Sequence, residues 1–214
     1  MSDKLQLVGA LRQPETLPYT YTKPDPFPKL PKMPRLVAFL RAINVGGHTV
    51  KMDRLRELFE SIGYVEVETF IASGNVVFKA RSSNTGAHEK KIEKTLREAL
   101  GYEVATFVRT LQELEEIANH QPFSPSALES AVTFGIAFTT ISLDVESTRR
   151  LMALRSEIDD FHVREREIYW ISRSRQGEAT ISNAVFERIV GRPATLRGVN
   201  TVKRMAAKYS RSKP

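Results

Sequence analysis

An α+β protein that uses the order β-α-β-β-α-β twice is predicted by three features of this 214-residue chain. Short apolar runs with strand character, around Leu36–Ile43 and Val132–Phe138, alternate with stretches whose apolar residues recur at helical spacing. Glycines stand where the helices of each half should stop, at Gly63, Gly101 and Gly191. Between the helices of each half lie two short strand patterns close enough to pair as a hairpin.

The elements follow in order. Residues 1–34 hold seven of the eleven prolines, among them Pro24, Pro26, Pro28, Pro31 and Pro34. Proline fixes φ and lacks an amide donor, so this stretch is expected to be an extended, Pro-rich N-terminal arm. The first half, residues 35–110, opens on the run from Leu36 to Ile43, a strand covered on at least one face. Met52, Leu55, Leu58, Phe59 and Ile62 mark a helix that stops at Gly63. Val65–Ile71 and Asn75–Lys79 are expected strands joined through Ser73-Gly74. Ile92, Thr95, Leu96, Ala99 and Leu100 line a second helix ending at Gly101, with Glu93 and Arg97 in the favourable i,i+4 order. Val104–Val108 is the fourth expected strand, and the order is that of the ferredoxin-like split βαβ arrangement.

The second half, residues 111–214, repeats it after a bridge. Thr110-Leu111-Gln112-Glu113 is a capping box for a bridging helix, and Pro122 and Pro125 break the chain beyond it. Val132, Phe134, Ile136 and Phe138 alternate with smaller or polar residues, as in a half-buried strand. Asp144 is the expected N-cap of a helix bearing Leu151, Met152 and Leu154. Phe161–Arg164 and Ile168–Ile171 are expected to pair around Glu165-Arg166-Glu167, a turn without glycine. Ile181, Ala184, Val185 and Ile189 mark a helix stopped by Gly191 and Pro193. Ala194–Arg197 is the last expected strand, and Asn200 the expected cap of a basic terminal helix. Two ferredoxin-like subdomains in tandem, without obvious mutual sequence identity, suggest duplication at the level of the fold.

Composition narrows the function classes. Apolar residues make up 41% of the chain and there is no cysteine, which removes disulfides, thiolate chemistry and cysteine-ligated zinc. No run approaches the roughly 18 consecutive apolar residues of a membrane span, and no secretory signal pattern opens the chain. A cytoplasmic protein with no membrane association is expected. The formal net charge is +7, and the segment from Glu187 onward carries eight basic residues against that single acid. All the excess positive charge sits there, as a solvated basic tail or as an attractor of acidic partners.

Asn44-Val45-Gly46-Gly47-His48-Thr49 joins a strand to a helix. Unpaired amides and the dipole at a helix start favour an anion, and glycine lets a phosphate approach; Arg41 and Lys51 add charge. The spacing is neither a P-loop nor a dinucleotide fingerprint, and a tight polar turn is the competing explanation. Ser73 and Asn75 either line a cleft or serve a positive-φ turn at Gly74; Ser73 has no G-x-S-x-G context. Arg197, Asn200, Thr201, Lys203 and Arg204 gather at a second strand-to-helix junction. They form either a capped, solvated helix face or, with the Asn44–Lys51 loop, a shared anion-binding groove. His48, His88, His120 and His162 show no metal-ligand spacing, so no metal, no cofactor and no catalytic residue is indicated. Tyr169 and Trp170 fall on opposite faces of one strand, one of them core and the other free to stack on a ring or base. An RRM-type RNA reader needs aromatics on its open sheet face, whereas Asn75, Val77 and Lys79 face one way and Val76 and Phe78 the core.

Leu40-Arg41-Ala42-Ile43-Asn44-Val45-Gly46-Gly47, Lys51-Met52, Leu55, Leu58 and Ser73-Gly74-Asn75-Val76-Val77-Phe78 are similar to the opening signature of a bacterial family, domain of unknown function 1697. Towards the end Ser182-Asn183, Gly191, Pro193-Ala194-Thr195, Arg197 and Asn200-Thr201-Val202 continue the resemblance. It runs from about Arg35 to the terminal helix, implies a two-subdomain α+β protein, and carries no reaction. Two departures stand out: Ala179-Thr180 where the family often has Ser-Lys, and Val199 where a tryptophan is common. The expected function is a non-catalytic binder of an anionic ligand, a phosphorylated small molecule or a nucleic-acid backbone, in a cleft between the subdomains. An enzyme acting on a small polar metabolite in that cleft and an oligomeric assembly module are the alternatives.

Overall fold

The computed structural model describes residues 33–44, 49–71, 74–174 and 181–210. Among them are eight strands and seven helices, a mixed α+β architecture with two four-stranded antiparallel sheets. The proposed arm, but for Met33 and Pro34, lies outside the described residues, as do Gly46, Gly47, Ser73 and Ala179-Thr180.

The first sheet contains β1 (Arg35–Leu40), β2 (Val65–Thr69), β3 (Asn75–Lys79) and β4 (Thr106–Thr110), in the order β2-β3-β1-β4. Helices α1 (Met52–Ser61) and α2 (Thr85–Leu100) cover one of its faces. The bridge is α3 (Leu111–Asn119) and α4 (Pro125–Ser130). The second sheet contains β5 (Thr133–Phe138), β6 (Asp159–Arg164), β7 (Glu167–Ser172) and β8 (Thr195–Gly198), in the order β6-β7-β5-β8. It is covered by α5 (Val145–Met152) and α6 (Asn183–Val190), and α7 (Val199–Ser210) closes the described chain.

Local chemistry explains most boundaries. Thr110 accepts from Glu113 N while the Glu113 carboxylate accepts from Thr110 N, so α3 starts on a complete capping box. Asp144 caps α5 through Ser147 N, and Ser182 caps α6 through Val185 N. Gly101 and Gly191 end α2 and α6 at φ +80° and +72°, where a Cβ would be strained.

Several expectations need correction. The first strand ends at Leu40 rather than Ile43, and the sixth begins at Asp159 rather than Phe161. The fourth strand begins at Thr106 rather than Val104. The second strand ends at Thr69 rather than Ile71. Glu93 does not pair with Arg97: its carboxylate accepts from Thr106 N at 2.9 Å, because the outer edge of β4 needs an acceptor, and Arg97 meets Glu103 instead. Pro125 starts a helix rather than breaking the chain, since an N1 proline loses no intrahelical bond and Ser124 caps it. Asn200 lies inside the first turn of α7, because β8 runs straight into a helix beginning at Val199.

Three apolar clusters hold the molecule together. Leu36, Ala38, Val76, Phe78 and Val108 meet Leu55, Phe59, Ile92 and Leu96 on the helix side of the first sheet. Ala137, Ile168 and Trp170 meet Leu151, Phe186 and Val190 in the second. The other faces of both sheets share one core: Val37, Phe39, Val77 and Phe107 with Ile136, Phe138 and Tyr169, sealed by α3 and α7. β1 is apolar on both faces for this reason. At the centre the rings of Phe39 and Phe138 stack at 4.1 Å, a contact worth about 0.5–1.5 kcal/mol beyond burial. The sheet faces an RRM would offer to RNA are therefore occupied by each other and by helices. Tyr169 and Trp170 are both core, on opposite faces of β7.

Candidate functional site

Two arginines cross between the sheets in matching geometry. From β4, Arg109 sends Nε to Glu167 Oε1 at 2.6 Å, Nη2 to Thr139 O at 2.8 Å and Nη1 to Val108 O at 2.8 Å. From β8, Arg197 sends Nε to Asn75 Oδ1 at 2.6 Å, Nη2 to Leu40 O at 2.8 Å and Nη1 to Leu196 O at 2.9 Å. The registers correspond: Val37 pairs with Arg109 as Ile136 pairs with Arg197, and Phe39 pairs with Asn75 as Phe138 pairs with Glu167. Each guanidinium also lies over the phenyl of the opposite sheet, Arg109 at 5.5 Å from Phe138 and Arg197 at 5.8 Å from Phe39.

The surroundings of the two differ. Arg109 sits among Glu167, Glu89, Arg166 and Glu113, with the Arg166 guanidinium 2.6 Å from Glu113. Burial pulls Arg109 below its ordinary value against the pull of Glu167, and it pushes the carboxyls of Glu167 and Glu89 up. A hollow of about 20 Å³ between α3 and the β6–β7 turn holds little more than one water.

Arg197 instead lines a cleft of about 900 Å³. The chain leaving β1 (Leu40–Asn44) forms one wall, and β8, the start of α6 and the ends of β5 and β7 form the others. Burial lowers the Arg197 guanidinium to about 10, still charged at neutral pH, and Thr195 Oγ1 accepts from it at 2.7 Å. Across the cleft Arg41 makes a two-pronged ion pair with Glu187 of α6, at 2.6 and 2.7 Å. The hydrogen bond to Glu187 holds Arg41 above its ordinary value. Glu187 Oε1 also accepts from Ala194 N at 2.8 Å, so one carboxylate ties α6, the start of β8 and the β1 exit together. Asn44 accepts from Val50 N at 2.8 Å, which shapes the turn out of β1. Ser172, Ser174, Ser182 and Thr133 supply hydroxyls, while Phe134, Trp170 and Leu196 supply apolar surface.

The predicted site residues thus separate. Arg41, Asn44, Asn183 and Arg197 line the cleft, and Asn75 stands behind Arg197. Lys51 is exposed at the start of α1, and Asn200 and Thr201 lie in the first turn of α7; none of these three is among the described lining residues. Gly46, Gly47 and Ser73 fall outside the described residues. Sequence reasoning missed Glu187 as a site residue, although a lone acid within a basic segment was a usable signal.

A sequence model of the family described as "Protein of unknown function (DUF1697)" matches residues 33–169, more than half of the chain. The chain belongs to this family. The DUF1697 match ends within β7 and stops short of α6, β8 and α7; of these, α6 and β8 contribute lining residues to the cleft. Among solved structures, the conserved bacterial protein SP0830 from Streptococcus pneumoniae is similar at a TM-score of 0.65 and 22% identity. It matches over 82% of this DUF1697 chain and 98% of its own. That likeness concerns the fold. No curated protein matches. No helix among the described residues is long and apolar enough to cross a membrane.

Proposed function

We propose that this DUF1697 member binds a small anionic molecule in the cleft and performs no chemistry on it. In this reading the body is a tandem of ferredoxin-like subdomains, residues 35–110 and 111–214, and the cleft opens where the exit of β1 meets the second subdomain. The shared strand order and the matching arginine crossings support a duplicated fold.

One observation carries the proposal: Arg41 and Arg197, 156 positions apart by their numbers, line a single cleft whose described lining includes one carboxylate, Glu187. Hydroxyls lining the same cleft as the two guanidiniums suit a phosphate or carboxylate, and Trp170 with Leu196 suits an apolar body. A concave site of this size favours a small molecule over a nucleic-acid backbone. The lining also favours binding over turnover: among the described lining residues there is no histidine and no lysine, and Glu187 already accepts from Arg41 and Ala194.

A thermal-shift and titration screen with nucleotides, sugar phosphates, carboxylates and short RNA tests the reading. A small anion should bind at a strength that Glu187→Gln increases and Arg41→Gln reduces, each about ten-fold. Gln keeps an acceptor for Ala194 N, so the first variant changes charge rather than the β8 anchor. Equal responses of the two variants, or stabilisation by neutral molecules alone, would end the proposal.

A further inference from the structure

The edges of the two sheets explain what the cleft recognises. β4 and β8 are the outer strands beside β1 and β5, so alternate backbone N–H groups point away from the sheet. On β4 the first two are taken by carboxylates one helical turn apart on α2, and the third, Thr110 N, by Glu113 of α3. Thr106 N donates to Glu93 Oε1 at 2.9 Å and Val108 N donates to Glu89 Oε1 at 2.8 Å. On β8 the first is treated alike, with Ala194 N donating to Glu187. The second, Leu196 N, corresponds to Val108 N, because Leu196 pairs with Ala137 as Val108 pairs with Ala38. Four residues before Glu187, where α2 carries Glu89, α6 carries Asn183. It is exposed, it lines the cleft, and it makes no hydrogen bond to Leu196 N.

The geometry points to a carboxylate subsite: a carboxyl group of the bound ligand takes the place that Glu89 fills in the other half. One oxygen accepts from Leu196 N, and the group lies beside Arg197, as Glu89 Oε1 lies 3.9 Å from Arg109 Nη1. Arg197 keeps its bonds to Asn75, Thr195, Leu196 and Leu40 and contributes charge. A ligand that displaces water from the cleft must supply an acceptor for this strand-edge N–H, and a carboxyl oxygen supplies the one that the fold omits. Trp170, Ile181 and Leu196 around the same walls fit a ligand whose carboxyl is attached to an apolar or aromatic body. This rests on the proposed cleft binding and names its chemistry.

Phenylacetate, phenylacetamide and phenyl phosphate are the probes, followed by the backbone amide signals of the 15N-labelled full chain. Phenylacetate should move the Leu196 amide signal and phenylacetamide should not. Asn183→Glu copies the α2 arrangement into α6: it should protect the Leu196 amide from hydrogen exchange and weaken phenylacetate at least ten-fold. Asn183→Gln, which has the size of the glutamate variant without its charge, should weaken phenylacetate far less than Asn183→Glu and shows that the loss comes from the carboxylate. A Leu196 signal indifferent to phenylacetate, or undiminished binding to a folded Asn183→Glu protein, overturns the subsite. If phenyl phosphate still moves the signals of Arg41 and Ser182, the cleft reading survives that failure. If neither anion moves any cleft signal, both fall.

Discussion

The surroundings of Arg109 and those of Arg197 use one backbone arrangement for opposite ends. In each, an outer-strand arginine crosses to the other sheet, covers a phenyl ring and donates to the carbonyl that follows it. At the first the Nε partner is the carboxylate of Glu167, with Glu89, Arg166 and Glu113 packed around it, and little free space is left. At the second the Nε partner is the amide oxygen of Asn75, and a large cleft opens beside it. A carboxylate lets a guanidinium be sealed into the core. An amide partner orients the guanidinium and, unlike a carboxylate, brings no charge of its own. The comparison teaches that the crossing is structural in both places, and that the acceptor at Nε goes with a packed ionic cluster, a lock, in one and with a cleft in the other.

Four tests act on this contrast. Arg109→Ala has the largest expected effect, because it strands Glu167 and Glu89 in the core without their cation. A loss of about 3–5 kcal/mol by urea unfolding is expected, and a loss under about 1 kcal/mol would mean the cluster is no lock. Glu167→Gln turns the first environment into a copy of the second, an arginine Nε facing an amide oxygen. The expected cost is smaller, about 1–2 kcal/mol, with the fold retained.

The pH profile separates carboxylates within the lock. Burial pushes Glu167 up. Burial acts upward on Glu113 too, but hydrogen bonds from the Thr110 backbone and hydroxyl, with the charge of Arg166, outweigh it and leave Glu113 lowered. A raised carboxyl holds its proton more tightly folded than unfolded, so its contribution is full below the ordinary 4.5 and is lost as pH rises through the folded value. A lowered one contributes above 4.5 and loses that as pH falls through the folded value. Unfolding measured between about pH 3 and pH 7 should show Glu113→Gln flattening the acid-side loss and Glu167→Gln flattening the neutral-side decline. Changes on the same side in both variants would break the distinction.

The smallest effect concerns the two hairpin turns. Gly74 stands at φ +72°, and a Cβ there would come within 2.6 Å of Ile43 Cγ2, so that turn requires glycine. The β6–β7 turn places Glu165 at φ +52° without one. Glu165→Gly should relieve the strain and, after the added freedom of the unfolded chain, stabilise by about 0.5 kcal/mol in thermal melts. A clear loss would show that the Glu165 side chain matters to the neighbouring lock.

Particular residues show how much was legible. The Thr110 box, the Asp144 cap, the stops at Gly101 and Gly191 and the alternation through β5 were readable because each depends on neighbours within a few positions. Arg41, Asn44 and Arg197 stood out as basic or polar residues at strand exits, and the structure sets all three along one cleft. Glu93 was misread because a surface i,i+4 pair and an acceptor for a strand edge look alike until β4 is known to be the outer strand. Arg109 went unread, since a charge in an apolar strand has no local signature of its role.

By itself the sequence determined the alternation of elements, their caps and the absence of cysteine chemistry, because periodicity and capping are local and their energies act within one or two turns. Only the tertiary structure decided that the two sheets would bury their open faces against each other. It alone brought Arg197 to Asn75 across 122 positions and Arg41 to Glu187 across 146. Such contacts come from the packing of whole sheets, and no pattern along the chain encodes which strand becomes an edge or what then stands beside it.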